Sequence, residues 1–223
     1  MARKEDGKRY RHAKDVFHAW MVEGATFVGD YDVPALSAVD ACPKRIIAFS
    51  DAMDAAGSDS AAFMHFFEDD FRFERLWNNP RAYFKRLSEC GGVLMPDFST
   101  CVDFPRAMKI WNTYRNFTIA SWLQREGITV VPVLRCEPGS DEYSLAPIEK
   151  GGTVAVCLRS EVKRKDDRRR TERDFKHAVD YCRPTRILAY GADPCGILEY
   201  ARDKGIEVVC YPAKGRGRLG GGC

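Results

Sequence analysis

Two groups of acids stand where apolar runs stop. Glu68, Asp69 and Asp70 follow directly on the run at 63–67, and Asp97 and Ser99 follow the run at 92–95. In a sheet of parallel strands the carboxyl ends share one rim, so acids far apart in sequence can meet there. Two carboxylates brought together can hold a divalent cation such as Mg or Mn, or divide acid and base roles through unequal pKa values. Asp69 and Asp97 are the candidates for both jobs. A structural use of the same region is also open, because Asp70 and Asp103 are well placed as helix caps.

A second constellation lies in a helical run. Spacings of three and four put Asn112, Arg115 and Asn116 on one face with Trp111 at its border. Arginine and asparagine there can fork onto a phosphate, a carboxylate or a base edge. The structural reading has Trp111 in the core and Arg115 paired with an acidic strand end such as Asp97. Arg135 and Arg159 each end an apolar run, and Ser160 follows the second, which adds positive charge to the same rim. The turn Tyr190-Gly191-Ala192-Asp193-Pro194-Cys195 leads into a short helix whose first amides are free to receive an anion.

Basic residues come in three pieces: Arg3 to Lys14, the run at 163–173 with Arg168, Arg169 and Arg170 at its centre, and the tail with Lys214, Arg216 and Arg218. Each suits phosphates without reading sequence, although a charge run is more often a solvated helix face. The tail also matches GxGxxG from Gly215 to Gly220, but no helix follows it, so it fails the context for a dinucleotide site. Walker A, HExxH and GxSxG motifs do not occur.

The elements that must position these groups read as strand then helix, repeated. Near-continuous apolar runs predict strands at 45–49, 63–67, 92–95, 128–134, 153–158, 186–190 and 206–211. Between them lie a helix from Asp70 that breaks at Asn79-Pro80, a second segment capped by Asn79, and a long helix capped by Asp103. That helix turns Phe104, Ala107, Met108, Trp111, Ile119 and Trp122 inward and stops at Gly127. A basic helix leads into 174–182, and a last short one covers 194–204. The pattern specifies an α/β fold, a single domain with a mainly parallel sheet and flanking helices, either doubly wound or a partial β/α barrel. Its expected bounds are a basic amino-terminal segment at 1–27, the α/β domain at 28–212 and a flexible Gly/Arg-rich tail at 213–223.

The bulk numbers agree with one domain: 223 residues, 45% hydrophobic and 12% aromatic, suffice for a sizeable core. A net charge of +3 is too small to imply a polyanion partner by itself. The nine cysteines form no CxxC pair and lie mostly in or beside apolar runs, as reduced, buried thiols of a cytoplasmic protein do. No leader-like h-region and no membrane-length apolar stretch is present, so no membrane partner is expected.

The segments HFFEDDFRFERLWNNP, GVLMPDFS, Trp111-Asn112-Thr113-Tyr114-Arg115-Asn116 and GITVVPVLR, with the later Ala189-Tyr190-Gly191 and the Gly/Arg-rich tail, resemble an uncharacterised bacterial and bacteriophage family, a domain of unknown function. The resemblance runs from about Val28 onward and implies a setting among phage, prophage or mobile-element genes. Combined with the strand-end charges, the expectation is an enzyme acting on a nucleotide or other phosphate-bearing substrate. Asp69 and Asp97 would be its acid/base groups or metal ligands; Ser99, Asn112, Arg115, Asn116, Arg135, Tyr190 and Gly191 would contact the substrate. The alternative is a non-catalytic protein that binds nucleic acid through Arg168, Arg169, Arg170, Arg216 and Arg218, or that captures a host factor or signal.

Overall fold

A computed structural model describes residues 15–57, 59–158, 165–193 and 195–213. The expectations for Arg159, Ser160, the amino-terminal basic residues and the tail with Arg216 and Arg218 lie outside the described residues. All seven expected strands form. A short antiparallel hairpin, β1 (Phe27–Val28) and β2 (Val33–Pro34), precedes them. Then come β3 (Arg45–Ala48), β4 (Ala62–His65), β5 (Gly92–Leu94), β6 (Val130–Val131), β7 (Thr153–Cys157), β8 (Arg186–Tyr190) and β9 (Glu207–Tyr211).

The neighbours follow chain order. Parallel ladders give β3-β4-β5-β6 and β7-β8-β9, and a single parallel bridge, Val133 to Ala155, joins the two sets. A doubly wound sheet needs a reversal of strand order, so the sequential order selects the partial-barrel branch of the expectation. The sheet also curls. β4 and β8 are four strand spacings apart, roughly 19 Å in a flat sheet, yet the rings of His65 and Tyr190 are 4.6 Å apart. Between β9 and β3 no ladder forms among the described residues. Side chains bridge that gap instead: the Tyr211 hydroxyl donates to the Pro43 carbonyl at 2.5 Å, and Arg186 donates to Asp40.

Register fixes which side chains share a face. Partners directly across a ladder do so, and β7, β8 and β9 supply three rows: Thr153, Arg186 and Glu207; Ala155, Leu188 and Val209; Cys157, Tyr190 and Tyr211. The first row ends in the exposed Glu207, and the other two layer as a packed core rather than a pore.

The helices are α1 (Phe49–Asp54), α2 (Glu74–Asn78), α3 (Pro80–Ser88), α4 (Arg106–Arg125), α5 (Asp141–Ser144), α6 (Lys165–Cys182) and α7 (Glu199–Asp203). The chain breaks between α2 and α3 at Asn79-Pro80, because proline is admitted at a first helical position and disfavours helix in the residue before it. Asn79 holds the cap position without a side-chain cap bond. Asp103 is not the cap of α4; Pro105 occupies that position. The inward face of α4 also differs from the expected one: Met108 and Trp111 are 45% and 40% exposed, while Lys109, Asn112, Thr113, Arg115 and Asn116 are buried. The first half of α4 packs on a loop carrying polar backbone groups, so its polar side turns in. The cysteines correct a further expectation, since among the described residues only Cys182 is buried, whereas Cys42, Cys101 and Cys210 are exposed. No described helix is long and apolar enough to cross a membrane.

Gly92 opens β5 where its neighbours leave no room for a side chain. A Cβ there would stand 2.5 Å from two ring carbons of Phe63 and 2.8 Å from the Thr129 carbonyl oxygen. Both neighbours are held by the sheet, so Gly92→Ala should destabilise the protein by about 2 kcal/mol, the scale of core overpacking. A urea melt of the variant with an unchanged midpoint would contradict this packing.

Candidate functional site

The loop after β5 is held from three sides. Asp97 is buried, its side chain 5% exposed, and Arg135 from the end of neighbouring β6 grips it: Nε donates to Oδ1 at 2.8 Å and Nη2 to Oδ2 at 2.6 Å. From α4, Asn116 Oδ1 accepts the Phe98 amide at 2.9 Å and Asn112 Nδ2 donates to the Ser99 carbonyl at 2.6 Å. Arg115 donates to Asn112 Oδ1 at 2.7 Å and Glu74 at 2.8 Å, with its guanidinium 3.7 Å from the centre of the Phe98 ring. The third side is Asp70, which accepts the Ser99 amide at 3.1 Å and its hydroxyl at 2.9 Å.

These contacts relocate several expected roles. Arg115 pairs with Glu74 rather than Asp97. Asn112, Arg115 and Asn116 do come together with Ser99, but the hydrogen bonds they make go to one another, to the loop and to Glu74. Asp69 is exposed, and no hydrogen bond or ion pair joins it to Asp97. Glu68 accepts both the amide and the hydroxyl of Ser50, at 2.9 and 2.5 Å. Among the described residues no group of three or more His, Cys, Asp or Glu is placed to hold a metal ion.

At the mouth of the curled sheet, His65, Phe67 and Tyr190 pack ring on ring, with centroids 4.6 to 5.4 Å apart. His65 Nδ1 accepts the Phe67 amide at 3.1 Å, which places the proton of the neutral ring on Nε2. Gly191 follows with φ 108° and donates its amide to the Tyr211 carbonyl at 3.0 Å, a conformation that glycine adopts without strain. The anion place expected at this turn is filled by the chain itself: the Asp193 carboxylate accepts the amides of Ile197 and Leu198, both at 2.9 Å.

Beside this mouth, between α4, α5 and α6, a cleft of about 640 Å³ opens over the ends of β6 and β7. It lies at the seam where the two ladders meet through one bridge. Leu134, Val156, Leu158, Phe175 and Ala178 form its apolar wall, and Lys109, Arg135, Arg170 and Arg173 bring cations to it. Three of those cations are engaged: Lys109 with Glu137 at 2.6 Å, Arg135 with Asp97, and Arg173 with Asp174 at 2.7 Å. Arg170 is exposed and has no ion pair among the described residues. Sequence reasoning had Arg135, Ser99 and Arg170, and Arg173 as the end of the basic run, but missed Lys109, Glu137 and Asp174. The available signal for Glu137 was a strand-end acid beside proline, as at Asp97; Lys109 and Asp174 read as ordinary solvated helix charges.

Two thiols, Cys136 in the cleft lining and Cys182 on α6, are poor nucleophiles. Burial, reinforced by Asp174 and Asp141, pushes Cys136 up to about 12, and its Sγ donates to the Asp174 carbonyl at 3.1 Å. Burial likewise raises Cys182 to about 12. The thiolate is the reactive form, so native Cys136 and Cys182 should alkylate about a thousandfold more slowly at pH 8 than in the urea-unfolded chain. Mass-spectrometric rate measurements giving equal values in both states would refute that. Removing the buried acid tests the loop: Asp97→Ala takes this carboxylate away from a guanidinium that is 34% exposed and should cost about 2 kcal/mol, below the figure for a fully buried pair. Part of that loss should return in Asp97→Ala/Arg135→Met, read by denaturant melts.

Residues 25–211 match the family described as Domain of unknown function (DUF4417). The Gene 1 protein of Mycobacterium phage L5 is 32% identical over 186 residues, covering 82% of this chain and 79% of that protein. The Gene 1 protein of Mycobacterium phage D29 is 31% identical over 185 residues, covering 82% of this chain and 67% of that protein. No solved structure matches the chain. With its partial-barrel domain matched almost end to end, and relatives in two mycobacteriophages, the chain belongs to the DUF4417 family.

Proposed function

We propose that this member of a phage-related family binds a nucleotide-sized, phosphate-bearing ligand in the cleft between α4 and α6. The observation that carries the reading is the pairing of an apolar wall with an excess of cations, one of which, Arg170, is left over when the acids of the cleft are assigned. A volume of about 640 Å³ suits a ligand of that size. The apolar wall takes a planar base, and the cationic side takes phosphate oxygens, to which guanidinium groups donate in forked pairs.

Binding is favoured over turnover for a physical reason. A general base or metal ligand needs a carboxylate with open lone pairs, and both oxygens of Asp97 already accept from Arg135. Glu137 and Asp174 are likewise engaged by Lys109 and Arg173. An enzymatic role through Asp69 and Asp97, with or without Mg or Mn, requires the Asp97–Arg135 pair to open first.

Calorimetric titration of the full chain with nucleoside mono-, di- and triphosphates, the matching nucleosides and inorganic phosphate tests the reading. Phosphorylated ligands should bind at least about tenfold more tightly than their nucleosides, and Arg170→Ala should weaken them about tenfold, some 1.4 kcal/mol. Equal affinity with and without phosphate, or an Arg170→Ala protein that binds as before, would reject it. Product analysis of the same mixtures with Mg or Mn reads any turnover directly.

A further inference from the structure

Arg170 is one of three consecutive exposed arginines. Arg168 and Arg169 share the early turns of α6 with it, less than a turn away around the helix and within about 3 Å along its axis. Only Arg170 lines the cleft; the other two carry the positive charge from its lip around to the outer surface.

None of the three has an ion pair among the described residues, although the helix offers partners at the right spacing. Glu172 lies four residues after Arg168, but it pairs with Lys176 at 2.7 Å. Asp174 lies four residues after Arg170, but it pairs with Arg173 at 2.7 Å. An acid placed before its base along a helix is the better i,i+4 orientation, which explains why Glu172 takes Lys176. Farther along, Lys204 meets Asp180 at 2.9 Å. Lys176 and Lys204 on the later part of this surface are thus matched, whereas the three arginines at the cleft are not. Arg169 and Arg173, four apart, also repel each other, so the cluster does not serve the helix.

We propose that the ligand is the end of a single nucleic-acid strand: its terminal nucleotide enters the cleft, and the phosphates that follow cross α6 over Arg168 and Arg169. This rests on the cleft-binding reading above and names the substrate class. A single strand fits because the cleft, walled by α4 and α6, admits one unpaired base, while a base inside a duplex stays stacked away from it. The outer arginines contact the backbone alone, so they add affinity that salt weakens and that ignores base identity.

The probes are a short homopolymeric single-stranded oligodeoxynucleotide, a blunt duplex of the same length, the corresponding mononucleotide and a polyglutamate peptide, each titrated against the full chain over a range of salt. The single strand should bind at least about tenfold more tightly than the mononucleotide and the duplex at low salt. Arg168→Gln/Arg169→Gln should abolish that gain, leave mononucleotide affinity unchanged and flatten the slope of log K against log salt by about 1.4, two phosphates at ~0.7 each. Both residues are exposed, so melting temperature serves as the folding control. Mononucleotide binding with no gain for the strand overturns the strand proposal alone, whereas absence of mononucleotide binding overturns the cleft reading beneath it. Polyglutamate displacing the strand at equal charge concentration also overturns the proposal, in favour of an acidic protein surface.

Discussion

The buried pair between Asp97 and Arg135 is the constraint on which the rim depends. A carboxylate 5% exposed at the end of β5 is tolerable only with a cation against both oxygens, and the nearest strand end that can supply one is that of β6. Once Asp97 is fixed, Phe98 and Ser99 follow it inward, and their backbone groups need partners of their own. Asn116, Asn112 and Asp70 provide them. The polar side of α4 is therefore turned toward the sheet rim by the needs of a loop. Arg115, laid on the Phe98 ring, closes the arrangement against Glu74 of α2.

The curl of the sheet and the position of the cleft are linked through the seam between β6 and β7. The two ladders are continuous on either side of it and meet in the bridge from Val133 to Ala155. Beyond that bridge the chain leaving β6 makes two side-chain contacts, Arg135 turning to Asp97 while Cys136 reaches Asp174 on α6. The cleft that α4 and α6 wall in opens there. On the other side, His65 and Tyr190 touch across the interior and hold the curled ends together. A site at the carboxyl ends is what parallel α/β sheets offer in general; here the cleft lies at the seam where one bridge joins the two ladders.

How much of this was legible follows from what each feature depends on. Strands covered on both faces are apolar runs whatever their neighbours, so 186–190 and the other six were found within a few residues. The β1–β2 hairpin was missed because two-residue strands have no period to read. Charged residues at strand ends were equally visible, but their partners were not. That Asp97 meets Arg135 depends on β5 lying beside β6, and that Arg115 meets Glu74 depends on where α2 packs. The face of α4 misled for the same reason: periodicity counts Met108 and Trp111 as core, and only the polar loop beneath the helix makes Lys109 and Asn112 the buried side. Asp193 at its turn is local, and Asx capping two amides a few residues ahead was readable from Asp193-Pro194 alone.

Charge is instructive in the same way. A net charge of +3 on 223 residues is silent about partners. What bears on binding is the charge left after internal pairing, and that quantity exists only once the fold is known. Lys109, Arg115, Arg135, Arg173 and Arg186 each have an acid within the molecule, and exchanging any of those pairs for a ligand would first require breaking it. Arg168, Arg169 and Arg170 have no ion pair among the described residues, so a phosphate contact there would break none of the described pairs and would release condensed counterions of the strand. A protein of nearly balanced composition can thus leave a local excess of positive charge, provided its acids are spent elsewhere.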